Sequence, residues 1–122
     1  MANAINWFEI PAAKFDRAVK FYSEVLATDM PAQEMMGNQM AFFPYANGSV
    51  SGAVVAGEGY VPSADGSLIF LNGGDNLDTP LARVESAGGK VLMPKTKITD
   101  EIGYFAIFMD TEGNKVAFHS QG

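Results

Sequence analysis

Three side chains equipped for chemistry sit near the two ends of this sequence: Trp7 and Glu9 at one, His119 at the other. Trp7 is the only tryptophan and His119 the only histidine. Trp7 and Glu9 are two residues apart, so on an extended strand they share one face. An indole there can stack on a planar ligand, and the carboxylate beside it can act as a general base. His119 alternates in the same way with Ala117 and can shuttle a proton or hold a polar ligand group. Each residue also has a plainer role. Glu9 can reach water or a lysine, Trp7 can fill core, and His119 can sit half-exposed on an end strand. Glu9 and His119 are the candidate catalytic pair. Cysteine is absent, which excludes disulfides, thiolate metal ligands and a cysteine nucleophile. The single histidine has no Gly-x-Ser-x-Gly partner, so a serine triad is excluded too. Met35, Met36 and Met40 suit either an adaptable apolar pocket or gap-filling in the core.

The elements that must position these residues come from a duplication. Ile5 to Ile10 is short, aromatic and β-branched, and reads as a strand closed by Pro11. Phe15, Val19, Tyr22 and Leu26 then fall at helical spacing, with Ala18, Phe21 and Val25 widening the apolar stripe. Thr28-Asp29 and Pro31 are the expected stop. The pattern returns in the second half. Ser67 to Leu71 is a strand closed by Gly73-Gly74. Leu77, Leu81 and Val84 mark a helix face, with Asp78 or Thr79 as cap, Pro80 in the first turn and Gly88-Gly89 as terminator. Phe8 and Phe70, Phe15 and Leu77, Val19 and Leu81, and Tyr22 and Val84 are each 62 apart.

Three strands are expected after each helix, at about 30–36, 39–45 and 49–56, then about 90–98, 102–109 and 114–120. Turns fall at Gly37-Asn38, Asn47-Gly48, Asp100-Glu101 and Asp110 to Gly113. In the seventh strand either Phe105 and Ile107 or Tyr104 and Phe108 face the pocket. The expected fold class is α+β: two βαβββ modules forming an eight-stranded curved sheet with helices on its convex side. Module one covers about 1–57, a Gly/Pro/Ser-rich linker about 58–66, and module two about 67–122, within one domain of 122 residues. The concave face is the natural pocket.

Composition narrows the partners. The formal charge is −6, and the 8 basic residues are scattered, so no basic stripe exists to neutralise phosphates. There is no cationic amphipathic stretch for a membrane surface and no run approaching about 20 apolar residues. Residues 1–10 lack the features of a signal peptide. A small-molecule ligand is expected, with no nucleic acid and no membrane, in a cytoplasmic protein.

Three stretches carry a resemblance. They are Ile5 to Pro11 with Arg17 to Tyr22, then Ala82 to Val91, then Gly103 to Asn114 with its Asp-x-x-Gly-Asn turn. In that order and spacing the chain resembles the vicinal-oxygen-chelate (glyoxalase/bleomycin-resistance/extradiol dioxygenase) superfamily. The resemblance implies a pocket in which strands 1 and 4 of each module aim His, Glu or Gln at a divalent ion acting as a Lewis acid. Here those positions fall at Trp7, Ile69, Gly52 and Ala117, none of which offers a donor. The expectation is therefore no metal and no cofactor, with Trp7, Glu9, Gly52, Ile69, Ala117 and His119 lining the ligand pocket. The alternative is a lyase, isomerase or dioxygenase with a displaced divalent metal on Glu9 and His119. The residues alone do not decide whether the protein is an enzyme. The resemblance also implies a homodimer, with modules paired within or between chains.

Overall fold

The computed structural model describes residues 3–122. The first module runs β1 (Trp7–Pro11), α1 (Phe15–Val25), β2 (Ala32–Met35), β3 (Asn38–Phe42) and β4 (Ser51–Ala56). The second runs β5 (Phe70–Asn72), α2 (Asp78–Leu81), β6 (Lys90–Thr99), β7 (Gly103–Met109) and β8 (Lys115–Ser120). All eight expected strands are present. Their hydrogen bonding divides them into two four-stranded sheets, ordered β1-β4-β3-β2 and β5-β8-β7-β6. Within each sheet the first strand lies parallel to the fourth, and the other pairs are antiparallel. β1 and β5 are both edge strands, so the duplicated unit is repeated in topology but not fused into one ladder.

One core serves both sheets, and α1 is its centre. Ala18, Phe21, Tyr22 and Val25 have no exposed surface, as the apolar stripe requires. The Tyr22 ring lies 5.3 Å from Phe43 of the first module and 6.5 Å from Phe108 of the second. Phe108 in turn stacks on Phe118 at 4.9 Å. Each such buried ring contributes roughly 1.5–3 kcal/mol of transfer free energy. α1 ends earlier than its breakers suggest, because Ala27 takes a left-handed φ of 51°. Its N-terminus is capped from the other module: the Glu112 carboxylate accepts the N–H groups of Ala13 and Lys14 and the Arg17 guanidinium at 2.7–2.9 Å.

The second helix is shorter than expected. After Leu81 the chain continues as turns, with Arg83 N–H donating to Pro80 and Val84 N–H to Leu81. Leu77 and Val84 are nevertheless fully buried. Neither Asp78 nor Thr79 caps α2. The N-cap position is Leu77, which has no side-chain cap; Asn76, one residue earlier, satisfies the Asp78 N–H instead, its Oδ1 accepting at 2.9 Å.

The Asp110–Asn114 turn is the polar clamp between modules. Tyr22 O–H donates to Asp110 Oδ2 at 2.7 Å, and Asn114 Nδ2 donates to the Pro11 carbonyl at 2.7 Å. Asp110 Oδ1 accepts the N–H groups of Glu112 and Asn114. Burial, then the neighbouring Asp110 charge, raises the Tyr22 phenol well above its ordinary value, so it remains a donor. Among the described residues no helix is long and apolar enough to cross a membrane.

Candidate functional site

Strand alternation and register give each sheet a core face and an outer face. In the first sheet Ile10, Val54 and Ala41 belong to the core, so Trp7 and Glu9 point to the outer face. The parallel register pairs Trp7 with Ser51, Phe8 with Gly52 and Glu9 with Ala53. Ser51 therefore shares the face of Trp7, and Gly52 shares the face of Phe8. In the second sheet Phe70 pairs with Ala117, Leu71 with Phe118 and Asn72 with His119. Leu71 and Phe118 are core and Ile69 packs against it. Phe70, Asn72, Ala117 and His119 are on the outer face.

Two expected positions are thus corrected. Gly52 and Ile69 face the core, and Ser51 and Phe70 occupy the outer-face places assigned to them. The cause is one residue in each half. Trp7 lies 8 residues before Phe15 (15−7), while Phe70 lies 7 before Leu77 (77−70). Ser51 follows its turn glycine by 3 (51−48), while Ala117 follows its own by 4 (117−113). A shift of one inverts the face of every side chain on a strand. The offset that matches the two outer faces is 63 for β1 and β5 (70−7) and 66 for β4 and β8 (117−51), not 62 and 65. Gly52 has its own role. A Cβ there would collide first with the Phe8 carbonyl oxygen and then sit 2.6 Å from the Phe8 ring, so its hydrogen leaves room for both the neighbouring backbone and an aromatic side chain in the core.

On the first outer face, Trp7 is 43% exposed and lies 6.1 Å from Phe42, tilted by 60°. These rings with Pro31, Tyr45 and Ser51 bound a cavity of about 450 Å³. Glu9 is fixed beside them: Oε2 accepts the Trp7 indole N–H at 3.3 Å and Oε1 accepts the Tyr60 hydroxyl at 2.7 Å. The hydrogen bond to Glu9, then burial, raises the Tyr60 phenol. Glu9 thus holds the edge of the indole and ties the linker to the sheet, with both oxygens engaged. A larger cavity, about 660 Å³, runs along the seam of β1 and β5, lined in part by Phe8, Phe43, Ser51, Ile69 and Phe70.

His119 is on the other sheet. Its Nε2 lies 2.6 Å from the Ile102 carbonyl, and its cross-strand neighbours are Phe105 and Asn72. Glu9 and His119 are on different sheets and share no hydrogen-bond partner among the described residues. In β7 the open alternative is resolved. Ala106 and Phe108 are fully buried, which leaves Phe105 and Ile107 outward, paired with His119 and Ala117. Sequence reasoning missed Tyr60, Ser51, Phe42 and Phe70. Only the 63-residue offset could have singled out Phe42 and Phe70.

The positions where the resemblance implies metal ligands carry Trp7, Ser51, Phe70 and Ala117. The one oxygen among them, Ser51 Oγ, donates to the Phe43 carbonyl at 3.1 Å. Among the described residues no group of three or more His, Cys, Asp or Glu side chains could hold an ion. This donor set does not fit a divalent metal, which needs three or four converging nitrogen, oxygen or sulfur atoms.

Comparison with known proteins agrees with the fold. The family model described as Glyoxalase/Bleomycin resistance protein/Dioxygenase superfamily matches residues 4–118. A glyoxylase-like domain-containing protein from Didymella fabae is 29% identical over 118 residues, covering 90% of this chain and 88% of its own. Among solved structures, a glyoxalase/bleomycin resistance protein from Albidiferax ferrireducens T118 superposes with a TM-score of 0.74 at 15% identity, over 98% of this chain and all of its own. TnmS3, an antibiotic binding protein from Streptomyces sp. CB03234, gives 0.66 at 21% identity over 100% and 99%. A glyoxalase I mutant from Zea mays gives 0.68 at 16% identity over 94% of this chain, which spans 45% of the maize chain. At these identities the structural likenesses establish the fold.

Proposed function

The chain belongs to the glyoxalase/bleomycin resistance protein/dioxygenase superfamily, and on that premise we propose that it binds a small, largely apolar or aromatic molecule without a metal ion. The observation that carries the reading is the half-exposed Trp7 against Phe42, over an apolar cavity of about 450 Å³. A pocket of that size with few polar groups suits one ring system. Glu9 acts by orienting the indole, since its two oxygens are held by Trp7 and Tyr60. The antibiotic-binding role in the description of TnmS3 supports the class of function by analogy of fold. A second copy of the chain is the partner we infer for the outer faces. They carry Ile5, Trp7 and Tyr45 on one sheet and Phe70 and Ile102 on the other, all at least 43% exposed, and a two-fold dimer would cover them.

Trp7 is the only tryptophan, so its emission reports on the pocket directly. Titration with planar aromatic compounds should give a saturable change in that emission and raise the melting temperature. Binding at a hundred times Kd adds about 2.7 kcal/mol. Zn²⁺, Ni²⁺, Mn²⁺ and Fe²⁺ should leave the melting temperature flat. A saturable rise with one of them would retire the metal-free reading.

A further inference from the structure

Two asparagines in the chain are followed by glycine, Asn47 and Asn72; each of the others precedes a residue with a side chain. An Asn-Gly pair can react with itself, because glycine has no Cβ to keep its backbone nitrogen away from the asparagine amide. The fold treats the two pairs in opposite ways. Asn72 ends β5, and its Oδ1 accepts the Gly74 N–H at 2.9 Å. The Gly73 N–H donates to the His119 carbonyl at 2.7 Å. Gly73 is buried, and a Cβ there would lie 2.8 Å from that of Leu77. Both reacting groups of this pair are engaged and confined.

Asn47 and Gly48 sit in the turn between β3 and β4, where residues 44–49 are all exposed. The Ser49 N–H closes the turn on the Ala46 carbonyl at 3.0 Å, and Gly48 takes a φ of 80°, as glycine allows at the third place of a turn. Among the described residues the Gly48 N–H has no backbone acceptor, and nothing lies within 4 Å of the place a Cβ would take. We propose that Asn47 is a site of spontaneous modification, converted to aspartate and isoaspartate beside the Trp7 cavity. The Gly48 nitrogen loses its proton and bonds to Asn47 Cγ, and the side-chain nitrogen leaves as ammonia. Water then opens the cyclic imide. Breaking the new bond from nitrogen to Cγ yields aspartate. Breaking the bond to the original backbone carbonyl yields isoaspartate, with one extra methylene in the chain. Water is the only co-reactant. Tyr45, Ser49 and Ser51 of the same segment line the Trp7 cavity, so the new carboxylate and the longer backbone change its wall. That consequence rests on the cavity being the ligand pocket; the reaction at Asn47 does not.

The test incubates the folded wild-type chain in mildly alkaline buffer and follows each asparagine by peptide mass spectrometry. The peptide holding Asn47 should gain the mass that exchanges NH₂ for OH, and fragmentation should find both aspartate and isoaspartate in it. Asn72 should react about 30-fold more slowly, since two hydrogen bonds must open first. In urea the two should react at similar rates, and Asn47→Gln should abolish the modification of the folded chain. Equal rates in the folded chain, or an Asn47 that reacts only in urea, overturns the proposal. The modified chain carries one more negative charge, so anion exchange separates it from the unmodified one. Read by Trp7 emission, it should bind a planar aromatic compound several-fold more weakly. Equal affinity in both fractions overturns the effect on the cavity. Binding by neither fraction would count against the cavity as the ligand pocket and leave the mass result standing.

Discussion

Module one and module two share a backbone and divide its labour differently. Each places an aromatic pair on the outer face of its sheet, Trp7 with Phe42 and Phe70 with Phe105, corresponding members 63 residues apart in the chain. Module one closes the rim of that ledge with Glu9 and Tyr60, whereas module two puts Asn72 and His119 there. Beneath the ledges the core is also asymmetric. Module one fills it with Phe8 from β1 over Gly52 of β4. Module two puts Leu71 on β5 and Phe118 on β8. At the turn before the last strand the contrast is sharper still. Asp110 is 4% exposed and clamps Tyr22, while its counterpart Tyr45 (110−45 = 65) is 66% exposed. A duplicated fold thus keeps its hydrogen-bond topology while exchanging which strand carries volume and which turn carries charge.

The core asymmetry gives the largest expected effects. Phe118 is fully buried and stacks on Phe108, so Phe118→Ala should cost about 3–5 kcal/mol, lost transfer energy plus an unfilled cavity. At the matching place in module one the error is of opposite sign. Gly52→Ala adds a methyl where the Phe8 ring already lies, and overpacking of this kind costs about 1–3 kcal/mol. Urea denaturation of the two variants measures both. Equal, small effects would show that the modules do not partition their core volume as the register indicates.

These contrasts were only partly legible in the sequence. The duplication was, because apolar spacing on strand and helix repeats wherever a face must be buried. The strand count and the α1 stripe followed from it. The register was not: one residue fewer between β5 and α2, and one fewer after the Gly48 turn, leave the apolar pattern intact while inverting which face each residue occupies. Gly52 and Ile69 were misplaced for that reason. Tyr60 was invisible for another, since a linker residue 51 positions from Glu9 carries no periodic signal. The Asp-x-x-Gly-Asn turn was legible as a motif, but its role as the clamp on α1 emerges only once the two modules pack.

That clamp yields an intermediate effect. Burial alone would raise the Glu112 carboxyl, but hydrogen bonds from Arg17, the Lys14 N–H and Thr111, with the Arg17 charge, outweigh it and hold it below its usual value. A carboxyl depressed in the folded state stabilises above its unfolded value, near 4.3. That contribution is lost as pH falls through the lower folded value. The melting temperature should therefore drop as pH is lowered below about 4.3, and Glu112→Gln should flatten that part of the curve. Module one has Asn47 at the matching place (112−47 = 65), so Asn47→Ala should leave the acid limb as it is.

The smallest effect concerns the closed rim. Tyr60 is joined to the sheet through its hydroxyl on Glu9 Oε1, and Glu9 holds the indole through the other oxygen. Tyr60→Phe keeps the ring and removes only the donor, leaving the freed carboxylate oxygen to water. The global melting temperature should barely move, because no core contact is lost. The emission of Trp7 should shift to the red as water reaches the indole edge, and the linker amides around residue 60 should exchange faster. A variant whose emission matches the wild type would mean that the rim of module one is not closed by Tyr60, and the contrast with Asn72 and His119 would then rest on residue type alone.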